Sequence, residues 1–166
     1  INAQVLGQGR SNSEGIPFVP RNSPTIFNIA LWDSSLFWDS RVESLGKEVD
    51  QNGAASGIST PDSSFGVTDN NAGSNLVVAQ TRFPITSNHE MKTANFENGS
   101  SRDVIRHHLA ARLGDYDEGA GELTRNQWLT EFQTAFNSDA EPEELVTFAN
   151  IGKAISDYER SILFIN

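Results

Sequence analysis

Residues 21–45 read RNSPTIFNIALWDSSLFWDSRVESL, and the rest of the chain is interpreted around them. Ser23 is an N-cap residue type, and Pro24 suits a first helical position because the N–H it lacks has no intrahelical partner there. Thr25 to Leu31 reads as a short helix with Ile26, Ile29 and Ala30 on one side. A polar turn, Asp33 to Ser35, comes after it. Phe37 and Trp38 then stand side by side, with Asp39 and Arg41 directly behind them. Two large aromatics beside an acid and a base are costly to leave in water and hard to bury without partners. A large, flat group packed against Trp38 would meet both demands.

Two further stretches stand out. One is Phe83-Pro84-Ile85-Thr86-Ser87-Asn88-His89-Glu90-Met91. The other is Ile151-Gly152-Lys153-Ala154-Ile155-Ser156-Asp157-Tyr158-Glu159-Arg160. With RNSPT…FWDSR they resemble, in the same order, three blocks of the bacterial di-haem cytochrome c peroxidases. Those blocks are R-N-[ST]-P-T…F-x-W-D-G-R, a loop ending in Glu-Met, and I-x-x-A-I-x-x-[FY]-E-R. Each block is moderately specific, and the ordered set reaches across most of the chain. Ser40 departs from the Gly of W-D-G-R. Because Gly often marks a positive φ, the turn after Trp38 is a place where this chain can differ.

The resemblance implies a mainly α, helical cytochrome c-like fold with long loops. It implies reduction of hydrogen peroxide, in the bacterial periplasm, with electrons from a small donor protein. It also implies two c-type haems, and it allows a homodimer. In these terms Trp38 is an electron relay and Glu90 the acid–base residue of the distal pocket. Phe37, Trp38, Arg41 and Met91 contact the cofactor, and Arg41 with Asp39 makes an ion pair or a propionate contact. Asn22 supplies a side-chain oxygen to calcium. From the residues alone, the favoured readings are that Asn22 satisfies turn backbone before Ser23 and that Glu90 stabilises a helix N-terminus.

The chain has no cysteine, so it holds no C-x-x-C-H and cannot itself tether a c-type haem. The resembled family carries one such motif before the Arg21 block and another after the last helix. The expectation is therefore a single segment lying between the two, with haem attached outside it and no turnover by the segment alone. Within it, residues 1–20 read as loop, 21–49 as a Trp-containing helical block, 50–80 as loop or insertion, and 81–166 as the helical part. The same residues also fit a di-haem oxidase acting on a protein or organic substrate. A reading from another class is a non-catalytic helical binding domain that has lost haem.

Composition narrows the classes. A net charge of −10 over 166 residues argues against nucleic acid, which needs clustered Lys and Arg. It would suit a basic donor protein. No apolar run reaches membrane-spanning length.

Between the blocks, residues 50–79 are rich in Gly, Asn, Ser and Asp, a solvated loop whose Asp62 and Asp69 could also take a cation. Asn75 to Arg82 reads as a short helix. A helix capped by Ser100 or Ser101 runs to Leu113 and stops at Gly114, with His108 inside its apolar stripe as a hydrogen-bonded core residue. Asp115 to Glu122 is an acidic turn. Thr124 would cap a helix holding Trp128, Leu129, Phe132 and Phe136. Pro142 opens a connector or a first helical turn, and Thr147 caps a last helix with Phe148, Ile151, Ile155, Tyr158 and Ile162 on one face and Glu159 on the wet side.

Overall fold

Left-handed backbone at Phe37 and Ser40, with φ of 67° and 55°, turns the chain back on itself where a helical block was expected. The computed structural model describes residues 25–32, 34–46, 55–87, 90–92 and 97–164. Of the helix expected over Thr25 to Leu31, only Ile29–Leu31 closes, as a 3₁₀ turn. Beyond it the chain forms a hairpin of β1, Ser35–Leu36, and β2, Val42–Ser44. β3, Ile58–Ser59, adds to β2, and the antiparallel sheet has the order β1-β2-β3. Leu36 pairs with Val42, and Ser44 with Ile58. Leu36, Val42 and Ile58 are all buried. The strands are two or three residues long, too short for period-2 alternation to register in the sequence; their pairing with one another and their burial against α1 make them strands.

Among the described residues the rest of the regular structure is helical. The helices are α1 Leu76–Thr81, α2 Arg102–Gly114, α3 Trp128–Phe136, α4 Pro142–Leu145 and α5 Phe148–Ser161. None is long and apolar enough to cross a membrane. The chain divides into two compact units. Unit 1 comprises Ile1–Thr93 with Ile155–Asn166, and unit 2 comprises Ala94–Ala154.

In unit 1, α1 packs on β1 and β2. Its Leu76, Val77 and Ala79 join Ile29, Leu36, Val42, Ile58 and Phe83 in one core cluster. Asn75 starts the helix by accepting from the N–H groups of Val77 and Val78, the cap that its sequence position suggests. The Gly/Asn-rich stretch after β3 is not loosely solvated. Asp69 N–H returns to the Ile58 carbonyl at 2.8 Å, and Asp62 and Asp69 take up a cation supplied by the chain itself, Arg82. At the other end of the unit, Asn28 N–H donates to the Ile162 carbonyl and Asn28 Oδ1 accepts from Phe164 N–H. The rings of Phe27 and Phe164 meet edge to face.

In unit 2, Ser101 caps α2 through Val104 N–H at 3.3 Å. Gly114 is the last helical residue, and the left-handed position after it belongs to Asp115, φ 61°. Gly114 instead clears space: a Cβ there would lie 2.5 Å from the Tyr116 ring. Tyr116, Phe132, Leu145, Val146 and Ile151 build the core with Ala110 and Ala111. The N-cap position of α3 is Gln127, whose side chain makes no cap; in place of the expected Thr124, Asn126 Oδ1 accepts from Trp128 N–H. Thr147 does cap α5, through Asn150 N–H. α5 passes from unit 2 into unit 1 at Ile155; along it Ile151, Gly152 and Ser156 are buried while Ile155 and Tyr158 are exposed. The buried line thus runs one position further round the helix than expected. It brings Glu159 inward, where burial pushes its carboxyl pKa up.

Candidate functional site

The turn between β1 and β2 carries Phe37, Trp38, Asp39, Ser40 and Arg41. A bulky residue at φ 67° is a genuine outlier, and strained backbone of this kind collects at functional sites. Phe37 is held there from two sides: it packs against the unit 1 core, and the Arg41 guanidinium lies 3.8 Å above its ring. Arg41 also closes the turn on Asp39, with its backbone N–H on Oδ1 and Nη1 on Oδ2, both at 3.3 Å. These contacts leave Trp38 projecting outward with 71% of its surface exposed.

Ser40 takes up the left-handed turn that Gly makes without strain. Its hydroxyl lies 3.0 Å from that of Ser35. A left-handed L-residue costs roughly 1–2 kcal/mol, and Gly loses about 0.5–1 kcal/mol more backbone entropy on folding. Ser40→Gly is therefore expected to stabilise the protein by about 0.5–1 kcal/mol, seen as a higher urea midpoint at unchanged m-value. A lower midpoint would show that the Ser35–Ser40 contact outweighs the strain.

The second component is the loop after α1. Pro84–Thr86 forms a 3₁₀ turn with Pro at its start, since the ring presets φ. Met91 N–H then reaches back to the Pro84 carbonyl at 3.0 Å, while Glu90 N–H and Lys92 N–H both donate to the Ser87 carbonyl at 3.1 Å. The loop is closed by its own backbone, and Glu90 has a fixed place on it. The Glu90 side chain is only 18% exposed, and its Oε2 is sealed from solvent. Met91, next to it, is 51% exposed.

The two components meet. Arg41 Nη2 lies 3.8 Å from Glu90 Oε1. One guanidinium thus touches the Phe37 ring, the Asp39 carboxylate and the Glu90 carboxylate, and Trp38 and Met91 flank it in sequence on the two segments it joins. The structure brings Phe37, Arg41 and Glu90 together, and of the two contacts weighed for Asp39 and Arg41 it shows the ion pair. The Arg41–Glu90 pair itself was not legible, since nothing local links residues about fifty positions apart. Asn22 and His89 lie outside the described residues.

The donor set suits contact with a flat apolar group and not its covalent attachment. Trp38 and Met91 offer exposed apolar surface, Arg41 offers a cation, and Glu90 offers a shielded carboxylate. Thioether links require cysteine, which the chain lacks.

Residues 2–166 match the model of a family described as di-haem cytochrome c peroxidase. No curated protein and no solved structure matches the chain.

Proposed function

We propose, on the premise that this chain belongs to the di-haem cytochrome c peroxidase family, that it forms the inter-haem portion of a periplasmic enzyme reducing hydrogen peroxide. Haem c is the cofactor the family implies, and its attachment lies on cysteines outside this chain. The overall step consumes one peroxide, two electrons and two protons and yields two waters; the electrons come from a small donor protein.

Bound haem supplies the iron at which the O–O bond is cleaved. The chain's own residues manage protons, electrons and position. The Glu90 carboxylate would take a proton from one peroxide oxygen and deliver it to the other, so that the departing group leaves as water rather than hydroxide. Its side chain is only 18% exposed, which limits exchange of that proton with bulk water. Arg41 positions Glu90 through their contact, and Asp39 holds Arg41 from the other side. Trp38 relays electrons, its indole being an oxidisable π system, and with Phe37, Arg41 and Met91 it contacts the cofactor. Asn22 contributes a neutral amide oxygen, a ligand type calcium accepts.

The observation that carries this reading is the Arg41–Glu90 contact, which joins the aromatic turn to the Glu-Met loop. The test is expression of the full gene in a host that matures c-type cytochromes. A covalently bound Soret chromophore together with reductant-dependent peroxide consumption is expected. A purified full-length product without haem would overturn the reading in favour of a helical binding domain. A haem-loaded product that oxidises an organic or protein substrate but does not turn over peroxide would overturn it in favour of an oxidase.

A further inference from the structure

In unit 2, His108 sits on α2 with 9% of its surface exposed, and each ring nitrogen faces a different carboxylate. Nδ1 meets Glu97 Oε1, in the turn before the helix. Nε2 meets Glu122 Oε1 at 2.8 Å, in the loop beyond it. A carboxylate can only accept, and a neutral imidazole has one N–H. Both contacts can be hydrogen bonds only when the ring carries two protons. With one proton fewer, a ring lone pair faces a carboxylate oxygen at hydrogen-bond distance, which is repulsive.

The surroundings reinforce the two carboxylates. Ser100 Oγ donates to Glu97 Oε2 at 3.0 Å. Arg112, one turn further along α2, places Nε 3.2 Å from Glu122 Oε2, in charge contact without hydrogen-bond alignment. Among the described residues, other ionisable groups near α2 have contacts of their own. Asp117 and Glu118 face His107 at 3.3 and 3.8 Å, and Asp103 takes Arg106 at 2.9 Å. Glu143 of α4 acts on Tyr116, and Glu131 of α3 and Glu144 of α4 are exposed.

We propose that His108 is a protonation-operated staple of unit 2: as the imidazolium it holds the Glu97 turn and the Glu122 loop to α2, and on losing a proton it releases one of them. Burial of the ring opposes its charge, but the hydrogen bonds and charges of Glu97 and Glu122 outweigh that and raise its pKa above 6.5. A raised folded-state pKa means the staple is fully closed below the unfolded value, about 6.5. It is lost as pH rises through the higher folded value. Unit 2 therefore tightens in mild acid and loosens as pH rises through the ring's raised folded-state value.

The test is amide hydrogen exchange on the full chain from pH 6 to 9, corrected for the intrinsic rate, with the His108 ring titrated in parallel by NMR. The protection factor of residues 97–101 or of residues 120–124 is expected to fall by about tenfold over the range in which the ring deprotonates, and His108→Gln is expected to abolish that pH dependence. Glu122→Gln, which removes one of the two charges favouring the imidazolium, is expected to lower the ring's titration midpoint. The proposal is overturned by protection that stays constant through the titration, by a ring titrating at or below the ordinary histidine value, or by a midpoint unmoved in Glu122→Gln.

Discussion

Arg82→Ala is expected to lower the unfolding free energy by about 3–5 kcal/mol, the usual consequence of leaving buried charge without its partner. The side chain is 9% exposed and is the hub of the segment from β3 to α1. Its Nη1 donates to Asp69 Oδ2 at 2.6 Å and its Nη2 to Asp62 Oδ2 at 2.9 Å. Asp69 is further held by Thr60 Oγ1 on Oδ2 at 2.6 Å and by Asn71 N–H on Oδ1 at 2.8 Å. Removing the guanidinium strands the buried Asp69 carboxylate, and the turn over residues 60–72 loses its tie to α1. Against a typical total of about 5–15 kcal/mol, that loss is large. Arg82→Lys should recover little, because a single ammonium cannot span two carboxylates as a planar fork does.

Asp69 also sets an acid limit. Burial favours its neutral form, but the Thr60 and Asn71 hydrogen bonds and the Arg82 charge outweigh this and hold its pKa below 3.8. A depressed folded-state pKa means its contribution is complete above the unfolded value, about 3.9, and is lost as pH falls through the lower folded value. Asp69→Asn should therefore be destabilised at neutral pH and show a flatter stability curve in acid than the parent. Urea unfolding at neutral and acid pH checks both variants. An Arg82→Ala protein within about 1 kcal/mol of the parent would show that the network is no stronger than a surface ion pair.

Glu90→Gln should have the largest effect on turnover. In the haem-loaded full-length protein, kcat for peroxide is expected to drop by roughly 10²–10⁴-fold, the range attributed to one positioned acid–base group. Gln keeps the shape and can still hydrogen-bond, but it cannot carry a proton at working pH. The Soret spectrum should stay unchanged, which separates lost chemistry from lost cofactor. Asp39→Asn is the matched control: it perturbs the same Arg41 guanidinium from its other side and should cost far less. Equal losses in the two variants would mean that the Arg41 network acts only to shape the turn, and that Glu90 is not the proton carrier.

The sequence by itself determined the family, through three ordered blocks, and, because cysteine is absent, it determined that this chain cannot itself form the thioether links of a c-type haem. It also determined most helix starts. Asn75, Ser101, Pro142 and Thr147 act within one turn of their own position, so a local pattern suffices to find them. The tertiary structure alone decided the rest. The residue 35–44 hairpin depends on Leu36 and Val42 sharing a core with Ile58 and α1, while the seven residues before it, 25–31, are too few for helical bias to hold more than one 3₁₀ turn. The pairings Arg82 with Asp62 and Asp69, Arg41 with Glu90, and His108 with Glu97 and Glu122 join charges that are distant in sequence. A charged residue's type tells what it can bond, but only the folded chain brings its partner within reach, and it is desolvation there that makes the bond matter.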